Sequence, residues 1–186
     1  MKLFDRQGRA RERGLVLTSL RGGRGPGAPA GDRLLIRFTV PNDIKGTGFL
    51  VWEHPSAEDE RFLYLPSLGR VRRIVSAESQ ESFVGSDFTY EDIGGREFDD
   101  YAYDLLDANA AWRAADGTTH PAYRLESRAR DGRARYPRVV SLVRKDSFVV
   151  VEAGVYNRRN EREKAYTVSR VEQVEGIWTV MAAAMS

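Results

Sequence analysis

The chain has 186 residues, 41% of them hydrophobic and 30% charged, which is enough for one domain with a buried core. It has no cysteine, so disulfide frameworks, cysteine nucleophiles and thiolate metal sites are excluded. Its 29 basic residues face 27 acidic ones, a net charge of +2, and the arginines are scattered among acids, which argues against a nucleic-acid-binding stripe.

The opening MKLFDRQGRARERG has no apolar stretch of the length a signal peptide needs. No run of 18 apolar residues offers a membrane span. The Gly/Pro-rich tract at 21–32 predicts a flexible loop. Beyond it the period is two. Leu34, Ile36, Phe38 and Val40 alternate with Leu35, Arg37 and Thr39, and Phe49 and Val51 alternate with Leu50 and Trp52. The latter strand is apolar on both faces, so it calls for a second layer over the sheet. FLYLPSLGRVRRI predicts two short strands around a turn. Helical signal is weak: Ser76–Phe83 suits two turns capped by Ser76 or Ser79, Ser86–Ile93 suits another, and Asp104–Ala115 is ambiguous. Alternation returns at Tyr101, Tyr103 and Leu105, at 149–155, and at Tyr166 and Val168. Turn signals at 41–43, 54–59, 66–69, 115–117 and 130–132 separate these runs. The pattern is that of an all-β antiparallel meander closing, or nearly closing, into a barrel or sandwich.

The most distinctive stretch is Phe62 to Ile93, FLYLPSLGRVRRIVSAESQESFVGSDFTYEDI. Together with RLLIRFTVPNDIKGTGFLVWE before it and KAYTVSRVEQVEGIWTVMAAAM near the end, it resembles the LolA-like outer-membrane lipoprotein-sorting protein family over nearly the whole chain. The resemblance implies a single domain over 1–186, a half-open, strongly curved antiparallel β-barrel with a few short helices around an apolar cavity. It also implies a non-enzymatic periplasmic carrier of lipid or of lipoprotein acyl chains, with an inner-membrane transporter and an outer-membrane acceptor as partners and no cofactor. The other role it allows is an accessory β-domain that docks on a membrane transporter without cargo. Family members begin with a secretion signal and a first helix and continue past the last strands here, so the chain is expected to be a fragment or to have a misplaced start.

On this reading Ile36, Phe38, Phe49, Val51, Leu63, Leu65 and Ile74 are the candidate cavity lining, unless they simply pack a closed core. Which face of each strand points inward is open, because a one-residue slip reverses it. Phe83, Phe88 and Tyr90 form either a mobile rim or a structural plug in which Gly85 relieves backbone strain. Arg70, Arg72 and Arg73 meet either a lipid phosphate or an acidic partner, with Arg72 and Arg73 as the rim contacts; otherwise they pair with Asp87, Glu91 or Asp92. The two histidines, His54 and His120, each sit beside proline without ligand spacing, and Ser86 lacks the strand–elbow–helix setting of a nucleophile, so neither catalysis nor a metal is expected.

Overall fold

The computed structural model describes residues 1–22, 31–54, 57–75, 78–94, 98–132, 134 and 136–186. The chain divides into two compact units, Met1–Gly95 and Arg96–Ser186. The loop expected at 21–32 falls largely on 23–30, outside the described residues; at its base the Gly22 N–H donates to Asp32 Oδ1 at 2.8 Å.

The first unit opens with a small ribbon of β1 (Lys2–Phe4) and β2 (Ala10–Glu12). Its main sheet is a five-stranded antiparallel meander: β3 (Gly14–Leu20), β4 (Arg33–Val40), β5 (Gly48–Trp52), β6 (Glu60–Leu65) and β7 (Arg70–Ile74). β4–β5 and β6–β7 are joined by connections of seven and four residues, which antiparallel neighbours permit. Gly69 closes the β6–β7 turn in the left-handed region, φ +59°, which suits a residue without Cβ. The register runs Leu17–Ile36–Phe49–Leu63–Arg72 across one row and Ser19–Leu34–Val51–Arg61–Ile74 across the next on that face. That face carries the buried cluster of the unit.

The second unit is a six-stranded antiparallel sheet in the order β13-β12-β11-β10-β9-β8. Its strands are β8 (Tyr101–Arg113), β9 (Thr119–Ala129), β10 (Arg138–Arg144), β11 (Val150–Tyr156), β12 (Arg162–Val174) and β13 (Ile177–Met185). Residues 104–115, ambiguous in sequence, belong almost wholly to β8, because pairing along β9 satisfies their backbone. Bulges interrupt β8, β11 and β12 and increase local twist.

Helix is scarcer than expected. Ser76 lies outside the described residues; Glu78 is in a 3-10 turn, residues 79–81 turn and bend, Ser82 bridges to Thr89, and Phe83–Gly85 is a short 3-10 helix. The Glu78 side chain accepts from the Val75 N–H at 3.2 Å while the Glu78 N–H donates to the Val75 carbonyl at 2.8 Å. Over 86–93 the helix begins late, as α1 (Tyr90–Gly94). Its cap is Thr89: the Asp92 N–H donates to Thr89 Oγ1 at 3.1 Å while the Thr89 N–H donates to Asp92 Oδ2 at 2.8 Å, a reciprocal capping pair. Among the described residues no helix is long and apolar enough to cross a membrane.

Candidate functional site

All seven predicted lining residues lie on one face of the β3–β7 sheet. Ile36, Phe38, Phe49, Val51, Leu63 and Ile74 are buried there and Leu65 packs against them. The question of register is thus answered: Phe49 and Val51 share the buried face, and Leu50 and Trp52 share the other. The segment 78–94 roofs this face. Phe83 and Tyr90 drop into it, 1% and 5% exposed, and Phe88 packs at its margin. Phe83 lies 5.2 Å from Phe49 edge-on, 5.9 Å from Phe38 and 5.7 Å from Tyr90, and Tyr90 lies 5.2 Å from Phe49. These are centroid separations at which aromatic quadrupoles attract. Burial pushes the Tyr90 phenol above its ordinary pKa, so it stays neutral. In this structure, then, the face is filled by the chain's own aromatics, and Phe83 and Tyr90 act as a plug.

The plug is a tight loop. The Phe83 N–H donates to the Phe88 carbonyl at 2.7 Å, a bridge joins Ser82 and Thr89, and Ser86 Oγ donates back to the Phe83 carbonyl at 2.8 Å. Gly85 has φ +71°, as anticipated, but its neighbour Val84 also sits at φ +52°, ψ +39°. A β-branched residue there is strained, because Cβ crowds the following carbonyl. The Arg13 guanidinium donates to the Val84 carbonyl and ties the strained turn to the start of the sheet.

The arginines of the signature pair differently from the expectation. Arg72 bonds Glu78 at 2.7 Å and Arg73 meets Glu60 at 3.3 Å, rather than Asp87, Glu91 or Asp92. The physical reason is strand parity: Arg72 and Arg73 point to opposite faces of β7, so they cannot share one acidic cluster. His54 bonds the same Glu60 at 3.1 Å and stacks on Trp52.

A second cleft, in the Arg96–Ser186 unit, was not anticipated. It encloses about 760 Å³ and is lined by Trp112, His120, Arg144, Arg170, Glu172 and Trp178, among others. Arg144, only 4% exposed, forms a two-point bond to Asp146 (3.0 and 2.5 Å) and lies over Trp178 (4.8 Å) and Trp112 (5.8 Å). Its guanidinium holds the Asp146 carboxyl below its ordinary pKa. Nothing in the sequence pointed here except the scarcity of tryptophan, three in the chain. Positions 112, 144 and 178 meet only through the pairing of six strands. Among the described residues no group of three His, Asp or Glu is placed to hold a metal ion.

Comparison with known proteins gives a consistent picture. A family model described as that of an uncharacterized protein matches residues 30–186. No curated protein matches. A DUF1329 family protein from Desulfovibrio piger is 31% identical, with a TM-score of 0.83 over 98% of this chain and 74% of the other. A candidate outer membrane lipoprotein-sorting protein domain from Vibrio parahaemolyticus is 29% identical, with a TM-score of 0.82 over the whole chain and 74% of the other. The chain belongs to the DUF1329 family. A LolA superfamily protein from Nitrosomonas europaea, 16% identical, shares the fold at a TM-score of 0.58 over 92% of this chain and 74% of that one. The mostly β, antiparallel architecture with one short helix is therefore a LolA-like fold. In this LolA-like chain the residues on which the resemblance was recognised, 62–93, are β6, β7 and the plug.

Proposed function

We propose that this LolA-like protein is a non-enzymatic periplasmic carrier that takes the acyl chains of a lipid or a lipoprotein onto the face now covered by Phe83 and Tyr90. It would receive them from an inner-membrane transporter and pass them to an outer-membrane acceptor. The observation that carries this reading is the roof itself. A continuous apolar sheet face is covered by a loop and a helix of only five residues, held by the Arg13–Val84 contact at a strained turn. An acyl chain gains roughly 0.8 kcal/mol per methylene removed from water. It competes here with aromatic side chains doing the same job, so its net affinity is a difference, and cargo that must be released needs a small difference. Strain at Val84 and one hydrogen-bonded latch set how easily the roof lifts.

The accessory-subunit reading also has an observation in its favour, the complete burial of Phe83 against Phe38 and Phe49. One experiment separates the two. The purified protein is extracted with solvent for mass spectrometry and titrated with a fluorescent fatty acid and an acylated peptide. The carrier reading expects acyl-chain binding, tightened by Arg13→Ala because a larger fraction of molecules has the roof open. If neither the wild type nor Arg13→Ala carries or binds an acyl chain, with both folded, the carrier reading fails and docking without cargo stands.

A further inference from the structure

The opposite face of the β3–β7 sheet has a chemistry of its own that the plug and its apolar face do not explain. Its central row in register is Thr18–Leu35–Leu50–Phe62–Arg73. Beside it runs Val16–Arg37–Gly48–Tyr64–Val71, and on the other side Leu20–Arg33–Trp52–Glu60. None of these side chains joins the buried cluster of the unit. Val71 is 62% exposed, Leu20 55%, Val16 54% and Tyr64 39%, and they flank the half-buried Leu35, Leu50, Phe62 and Trp52. An apolar, aromatic-bearing surface is therefore presented outward, on the strands whose two-sided hydrophobicity called for a covering layer.

The charges on this face are one-sided. Arg33, Arg37 and Arg73 stand against a single acid, Glu60, which Arg73 and His54 already share. Arg33 lies over the Trp52 ring at 4.2 Å, and Arg37 is exposed with no ion pair among the described residues. The backbone donors and acceptors between these strands are spent on one another. Besides the guanidinium groups, the polar groups on these rows are the Thr18 and Tyr64 hydroxyls, the Trp52 indole N–H and the Glu60 carboxylate. A protein interface carries about one hydrogen bond per 100–200 Å² between matched donors and acceptors, whereas the donors here are concentrated in three guanidinium groups facing one acid that is already paired. A bilayer surface needs none of that directional pairing. It needs aliphatic and aromatic side chains at headgroup depth and forked cations to meet phosphates.

The geometry points to the Leu35–Leu50–Phe62 face, with Arg33, Arg37 and Arg73 around it, as a docking surface for an anionic phospholipid bilayer. The assignment is independent of the carrier reading, since it holds whether or not the plug opens. The test is co-sedimentation of the whole chain with vesicles of phosphatidylglycerol mixed into phosphatidylcholine, against vesicles of phosphatidylcholine alone. Preferential binding to the anionic vesicles, weakened by added salt, is expected. The triple variant R33Q/R37Q/R73Q should reduce that binding by at least about tenfold, since each arginine near an anionic surface is worth about fivefold. R158Q/R159Q/R170Q, which removes the same charge elsewhere, should leave it within about threefold, as should any effect of net charge alone at moderate salt. Val71→Ser with Tyr64→Ser, at exposed positions that do not threaten folding, should weaken it as well. Equal losses in the two arginine triples, unchanged binding in the Val71/Tyr64 variant, or no preference for anionic vesicles would overturn the assignment. An absence of vesicle binding would do so too, and would leave the face to an acidic protein partner.

Discussion

Glu126 shows how a single buried charge is made tolerable in this molecule. It is 3% exposed on β9, and Arg128 and Arg138 both donate to its carboxylate, Arg128 through Nε at 2.6 Å. Arg138 in turn lies over Tyr156 and donates to Asn160. The hydrogen bonds from Arg138, then burial in opposition, then Arg128, leave the Glu126 carboxyl below its ordinary value of 4.5. A depressed folded-state pKa means that the stabilisation is complete above pH 4.5 and is lost as pH falls through the folded value. Glu126→Gln is therefore expected to cost about 3 kcal/mol at neutral pH, because two guanidinium groups lose their counter-ion. It should also flatten the acid side of the stability curve below pH 4.5. Urea melts of both proteins from pH 3 to pH 7 check this: a constant difference across the range would mean that the carboxylate's ionisation contributes nothing. The sequence shows Glu126 only as one acid on an alternating strand. Its burial depends on β10 delivering Arg138 beside it, which no local pattern announces.

The plug is the element in which sequence and structure differ most. Two short helices were expected over 76–93; among the described residues there are one five-residue α-helix and the 3-10 turn Phe83–Gly85. Local capping chemistry was readable but ambiguous, because several candidate cap residues stand close together in 76–93; Thr89 and Asp92 form the reciprocal cap, while Ser82 and Ser86 donate to loop carbonyls. That Gly85 would turn with positive φ was legible; that Val84 would share the strain was not. The packing of Phe83 onto Phe49 on one side and the Arg13 contact on the other, together with the loop's own hydrogen bonds, hold valine there. Val84→Gly tests the idea. Glycine removes about 1–2 kcal/mol of left-handed strain and loses a partly buried side chain of similar worth. Thermal stability should stay within about 1 kcal/mol of wild type, whereas a valine in an unstrained core site would cost more than twice that. A loss of 3 kcal/mol in calorimetry would show that Val84 is not strained.

At the scale of the whole molecule, the two units have separate buried clusters, one around Phe38, Phe49 and Phe83 and the others around Trp112, Leu142 and Val151 and around Tyr136, Val139 and Val155. Phe49→Ala should cost about 3–5 kcal/mol. Hydrogen exchange followed by mass spectrometry should then show β3–β7 losing protection while β8–β13 keep theirs; an equal loss across both would mean that they open as one. The division between sequence and tertiary structure follows the range of the forces involved. Period-two alternation, turn residues and the absence of long apolar runs are local, and they determined an antiparallel β meander, its strand positions and the side chains able to form an apolar face. The family signature at 62–93 is also contiguous, and so it was readable. Which face is buried, that Arg72 and Arg73 part company across β7, and that Trp112, Arg144 and Trp178 meet at one cleft were decided by strand pairing between residues far apart in the chain. Register is a property of partners rather than of single strands, and no strand carries it alone.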